Sequence, residues 1–165
     1  MDKLFDFGVA ADSGPKKPRN YENKCRDYVG KKVPSNLIDV WTVKDENRSG
    51  LPDCRYFSRE ENPCQKALWV EYKYMDDLPA NETTMVRPSW NSDLQLRTLR
   101  SFARAGDLCR VVIFFGDASD VRNVRVVVLR TAKEWEFGIT KKEAYTRSMT
   151  ITAYIEWLTK NFTGD

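Results

Sequence analysis

The stretch ALWVEYKYM, Ala67 to Met75, decides how this chain is read. Leu68, Trp69, Val70, Tyr72 and Tyr74 are apolar, β-branched or aromatic, the composition of a strand. Alternation along a strand puts Glu71 and Lys73 on one face with Trp69, and Leu68, Val70, Tyr72 and Tyr74 on the other. A carboxylate and an ammonium two residues apart in so apolar a strand have two readings. They form a simple ion pair at a solvated sheet surface, or they belong to a site.

The whole sequence narrows the choice. At 165 residues, with 41% hydrophobic and 31% charged residues, the composition is that of one soluble globular domain with a real core. No apolar run approaches the roughly 20 residues of a membrane span, and the start MDKLFDFGVAADSG lacks a signal-peptide core. A cytoplasmic protein is therefore expected, with Cys25, Cys54, Cys64 and Cys109 reduced rather than paired. A net charge of +3 permits an anionic partner without requiring one. The chain has no histidine. That excludes Ser-His-Asp and Cys-His triads and HExxH metalloproteases, leaving acid–base and metal chemistry to Asp, Glu, Lys, Tyr or Cys. Oxygen ligands of that kind suit Mg²⁺ or Mn²⁺.

Working outward, residues 1–19, with Gly8, Gly14, Pro15, Pro18 and KKPR, read as a loosely attached arm. Residues 20–165 read as a single domain. Asn20 can cap a helix reaching about Lys32. Strands are predicted over 36–43, 53–58, 67–75, 110–115 and 124–129. The polar segment 76–91 exceeds the usual connection length, as functional lids and binding loops do. Ser92-x-x-Gln95 and Thr140-x-x-Glu143 read as capping boxes, the first opening a helix that stops by Gly106. At 100° per residue, Gln95, Leu99 and Phe102 share one stripe of that helix, with Arg97, Arg100 and Arg104 opposite. Ile151, Tyr154, Ile155 and Leu158 mark a last helix. The order is a mixed α/β domain, αβββαβ followed by a strand and helices.

A histidine-free site for phosphodiester cleavage needs carboxylates to hold a divalent cation beside the phosphate, and a lysine to orient water and offset charge. Glu71 and Lys73 supply one carboxylate and the lysine. Asp53 follows Gly50-Leu51-Pro52 at the start of the preceding strand and can supply the second; turn chemistry explains it about as well.

These residues resemble the PD-(D/E)xK nuclease superfamily. The quoted motif is Gly50-Leu51-Pro52-Asp53, then Glu71-Tyr72-Lys73. The helix from Ser92 through Gln95 and Leu99, with the glycine and strand after it, resembles the virus-type replication-repair (VRR-NUC) branch, akin to Holliday-junction resolvases. The resemblance covers about residues 20–116 and leaves 117–165 as an extension it does not explain. It implies a restriction-endonuclease-like αβββαβ core with a mixed central sheet flanked by helices. It also implies a divalent-metal-dependent DNA endonuclease, acting on branched or structured replication and repair intermediates in a bacterial or phage-infected cell. Asp53 and Glu71, with the backbone carbonyl of Tyr72, would hold Mg²⁺ or Mn²⁺. Lys73 would position the attacking water, and Gln95 would support it. Glu22 would correspond to the first-helix acid that many members carry, although helix N-terminal electrostatics explains it too. Phosphate contacts are expected from Lys16, Lys17, Arg19, Arg48 and Arg87, and base stacking from Trp90. A homodimer is compatible with junction cleavage. The competing readings are an inactive nucleic-acid-binding module of the same fold and a sequence-specific restriction-type endonuclease.

Overall fold

The structure, a computed structural model, describes residues 20–43, 50–59, 67–90 and 92–163. Helix α1 (Tyr21–Lys32) opens on Asn20, whose side chain accepts from the amide of Asn23, and closes before Pro34. Three antiparallel strands follow: β1 (Ile38–Thr42), β2 (Cys54–Ser58) and β3 (Leu68–Met75). A short strand β4 (Met85–Val86) and helix α2 (Asp93–Arg104) lead to β5 (Leu108–Phe115), which runs parallel to β3. Parallel neighbours need a crossover, and α2 provides it.

The remainder is β6 (Arg125–Leu129), α3 (Ala132–Phe137), β7 (Ile139–Thr140), α4 (Lys141–Arg147), β8 (Met149–Thr150) and α5 (Ile151–Thr163). The sheet order is β1-β2-β3-β5-β6-β8, with β4 and β7 forming a separate two-stranded sheet. The expected α/β class, a mixed sheet flanked by helices, is what the chain adopts.

β3 and β5 lie at the centre of the sheet and are covered on both faces, which is why they read as nearly continuous apolar runs. One core joins Tyr56, Val70, Tyr72, Val112, Phe114 and Val126 to Cys25 and Val29 of α1 and Tyr154 and Leu158 of α5. The other joins Trp69, Val111, Ile113, Val127 and Leu129 to Leu99 of α2 and Trp135 of α3. Leu99 is buried on the stripe expected, while Arg100, on the other side of α2, pairs with Glu136. Cys25, Cys54 and Cys109 are buried free thiols. No helix among the described residues is long and apolar enough to cross a membrane.

Two expectations need correction. Ser92 sits in extended backbone at the N-terminus of α2 but its side chain makes no capping hydrogen bond; its carbonyl accepts from Gln95 N instead. The reciprocal box forms at Thr131 and Glu134, while Thr140 makes only its own half of the bond, to Glu143 N. The long segment after β3 is also no free lid. β4 pairs with β7, Lys141 N and Lys142 N donate to the carbonyls of Thr84 and Glu82, and Lys141 Nζ reaches Ala80 O.

Gly138 sits at that junction with φ +77°, and a Cβ there would meet the carbonyl oxygen of Val86 at 2.2 Å. Gly138→Ala is therefore expected to destabilise the protein by at least about 1–3 kcal/mol, from backbone strain and the clash together. Urea unfolding of the variant against wild type measures it; an unchanged midpoint would contradict this account of the anchor.

Candidate active site

The site is built where β3 outlasts its neighbour. β2 pairs with β3 only from Leu68 to Val70, because β2 begins at Cys54. Beyond Val70, every second amide of β3 points at the side β2 has left, and a buried amide needs a partner. Asp53, just before β2, accepts the N–H of Tyr72 on Oδ2 at 2.7 Å. Glu22, on α1, faces the N–H of Tyr74, which pulls its carboxyl down against burial. One carboxylate thus replaces the missing strand at Tyr72, and a second lies near Tyr74. The carbonyl of Tyr72 leaves β3 on the same side as its N–H, along this open edge.

Glu71 and Lys73 rise from the other face of the strand, both 2% exposed. That burial rules out an ion pair at a solvated surface. Oε1 of Glu71 lies 2.6 Å from Nζ of Lys73, a contact ion pair rather than an aligned hydrogen bond, and Oε2 has no hydrogen-bond partner among the described residues. Burial and then the charge of Asp53 push the Glu71 carboxyl up to about 7, against the pull of Lys73. Burial also raises Asp53, opposed by the Tyr72 amide, Lys73 and Arg26, and it raises Glu22, opposed chiefly by Lys73. The four groups share one electrostatic environment.

Gln95 is in the first turn of α2 and half-buried. That turn touches the turn carrying Asp53: Gly50 is buried with φ +98°, and a Cβ on it would lie 2.5 Å from Leu94 Cγ. Only glycine lets the two turns approach so closely. Arg87 is exposed on the anchored loop. Lys16, Lys17, Arg19 and Arg48 lie outside the described residues.

Trp90 is turned inward. Its ring centroid is 5.7 Å from Nζ of Lys73, and its indole N–H donates to the carbonyl of Trp135 at 3.1 Å. It forms the wall of the lysine's pocket, so its expected role as a base-stacking surface competes with a packing role. The sequence reading also passed over Arg26, whose Nη1 is 3.8 Å from Oδ1 of Asp53. Its one visible signal was position i+4 from Glu22 on the same helix face. A cleft of about 300 Å³ between α1, β1 and β2 adjoins it, lined in part by Arg26, Lys31 and Thr42.

The donor set suits a hard cation. Glu71 offers an oxygen without a hydrogen-bond partner among the described residues, Asp53 a carboxylate at the same edge, and Tyr72 a carbonyl directed there. No three acidic side chains converge into a cluster among the described residues, so Glu22 does not complete a three-carboxylate cage. Mg²⁺ rarely demands one; it binds through one or two carboxylates and keeps several waters.

No family model and no curated protein matches the chain. Among solved structures it is similar to that of Hjc, a Holliday junction resolvase from the archaeal hyperthermophile Archaeoglobus fulgidus. The TM-score is 0.50 at 16% sequence identity, over 81% of this chain and 98% of that one. The fold is restriction-endonuclease-like. In that fold the edge at Asp53 and the Glu71–Lys73 pair lie on adjacent strands of the central sheet.

The raised Glu71 gives a signed pH dependence. Between 4.5 and about 7 the native metal-free protein holds a proton that the unfolded chain has lost. The contribution of Glu71 to stability is therefore fully present below about 4.5 and is lost as pH rises through about 7. The loss is up to about 3 kcal/mol. Melts of metal-free protein from pH 5 to 8 should show a falling Tm, flattened in Glu71→Gln; parallel curves would refute the assignment.

Proposed function

We propose that this protein is a divalent-metal-dependent DNA endonuclease of the PD-(D/E)xK type, hydrolysing phosphodiester bonds in branched or structured DNA. The observation that carries the reading is the buried Glu71–Lys73 pair, whose carboxylate has an oxygen without a hydrogen-bond partner among the described residues and feels the charge of Asp53. The fold shared with a Holliday junction resolvase supports a nuclease, and the helix bearing Gln95 and Leu99 supports the VRR-NUC branch.

In this reading Asp53, Glu71 and the carbonyl of Tyr72 hold Mg²⁺ or Mn²⁺. When bound, the ion supplies Lewis-acid polarisation of the scissile phosphate and neutralises part of its charge. Lys73, fixed between Glu71 and Trp90, orients the attacking water and offsets the negative charge that develops on phosphorus-bound oxygens. Gln95 supports the water from the neighbouring helix turn. Water oxygen bonds to phosphorus as the P–O3′ bond breaks, leaving a 5′-phosphate and a 3′-hydroxyl. Trp90 keeps bulk water from the lysine. Glu22 and Arg26 hold Asp53 and the strand edge in place. Two copies of the chain would be needed to cut both strands of a junction.

The decisive experiment incubates linear duplex, single-stranded, flap and four-way-junction DNA with Mg²⁺, Mn²⁺ or EDTA. Wild type is expected to cut with metal only. Lys73→Ala and Asp53→Ala should each lose at least about 10²-fold in rate. Wild type inert on every substrate with either metal would end the nuclease reading, and DNA binding without cleavage would favour an inactive binding module.

A loss of activity alone does not report metal binding, so a second measurement is needed. Adding Mn²⁺ at pH 8 should raise the Tm of wild type, since a cation binding only the native state stabilises it. Asp53→Asn should lose most of that rise. Equal shifts in the two proteins would place the metal elsewhere.

A further inference from the structure

The face of the sheet that carries Glu71 and Lys73 continues beyond them across β2 and β1. Pairing registers set Trp69 opposite Arg55, and Arg55 opposite Trp41, in one row across three strands. The guanidinium carbon of Arg55 lies 4.7 Å from the ring centroid of Trp69 and 4.5 Å from that of Phe57. The Trp41 ring reaches that of Trp69 at 6.3 Å, yet Trp41 is 47% exposed.

Arg55 has no anionic partner among the described residues, and its Nε makes no hydrogen bond. The other described arginines of α1 and of β2 and its end are engaged: Arg59 with Asp39, and Arg26 between Asp27 and Asp53. A cation set over two rings, with no anionic partner among the described residues and an exposed indole beside it, is a made surface for a phosphate and a base.

Position selects the ligand. Trp69 precedes Glu71 by two residues, so Arg55 stands on the order of 8 Å from Glu71 in backbone terms, from strand rise and strand spacing. That is the reach from one phosphate of an extended strand to a neighbouring one. A second protein copy is a poorer occupant, because the exposed part of the row is essentially one indole and one guanidinium. An indole contributes at most about 250 Å², whereas each side of a stable interface gives about 800 Å².

We propose that the Trp41–Arg55–Trp69 row is the docking surface for an unpaired stretch of the DNA strand being cut. Arg55 takes a backbone phosphate near the scissile one, and Trp41 stacks on a base. The proposal rests on the nuclease reading for the identity of the strand. It explains why an exposed tryptophan occupies the outermost strand beside the candidate site, and it deepens the preference for branched DNA into a preference for unpaired nucleotides.

The test is fluorescence anisotropy with labelled single-stranded, flap and duplex oligonucleotides in EDTA, with cleavage of the same substrates in Mg²⁺ measured alongside. Trp41→Ser should weaken single-strand and flap binding about 10-fold, within the range of one lost stack, with duplex affinity nearly unchanged. Trp41→Phe should restore most of it. Arg55→Gln should weaken all three substrates and reduce the salt slope by about one ion. Affinities equal to wild type in Trp41→Ser and Arg55→Gln would overturn the proposal. So would sedimentation showing that Trp41→Ser turns a dimer into a monomer of unchanged DNA affinity, which would make the row an interface between copies. Wild type that binds through Trp41 and Arg55 but never cuts would keep this surface and remove the nuclease reading. Wild type that cuts while both variants bind and cut equally well would remove the surface alone.

Discussion

The edge of β3 beyond Val70 is the constraint around which the site is organised. Once β2 has parted from β3, the amides of Tyr72 and Tyr74 must find acceptors or remain buried and unpaired, at a cost of about 1–3 kcal/mol each. Asp53 answers that need at Tyr72, and Glu22 of α1 faces the amide of Tyr74. Because the opening lies at the boundary between the two sheet faces, α1 approaches it from one side while Glu71 and Lys73 line it from the other. The carboxylate of Asp53 therefore completes the backbone bonding of β3 as well as forming part of a candidate metal site. Removing it for functional study also removes a backbone partner, so stability and activity must be measured together.

The C-terminal elements act on the same place at a distance. β7 binds β4, α4 ties down the loop before it, and the carbonyl of Trp135 in α3 fixes the indole of Trp90 over Lys73. Trp135 is itself buried, with its own indole N–H on the carbonyl of Leu129 in β6. A chain of packed groups thus runs from the sixth strand of the sequence to the lysine. α3, β7 and α4 give the long loop a fixed course, which the loop's polar, proline-containing sequence does not specify.

How far the sequence foretold this depends on which interactions are local. Helix α1 was legible because Asn20 and Pro34 act within a turn of its ends, and β3 and β5 because burial on both faces leaves continuous apolar runs. Asp53, Glu71 and Lys73 stood out because residue types and spacing coincide in a strand–turn context. The cap of α2 was misread because Ser92-x-x-Gln95 and Thr131-x-x-Glu134 are equivalent as patterns. At the first, Ser92 makes no side-chain cap bond, whereas at the second Thr131 and Glu134 bond reciprocally. The contacts of Trp90 were not legible because nothing within ten residues announces Trp135 or Lys73 as its neighbours. Arg26 was missed because its partner lies 27 positions away.

The burial of Glu71 with Lys73 argues against a purely structural role. A buried ion pair recovers little more than its desolvation penalty, and apolar residues of similar size commonly serve a core as well or better. Here the pairing is incomplete even by that standard, since Oε2 of Glu71 has no hydrogen-bond partner among the described residues and the carboxylate of Asp53 adds repulsion. The carboxyl responds by holding its proton to about pH 7, so near neutrality the charged form is held at a disadvantage. An added cation at the open edge would reverse each of these terms: it would occupy the free oxygen, screen Glu71 from Asp53, and favour the ionised form. The arrangement is poor as a closed core and coherent as a site whose charge balance is completed by a metal ion.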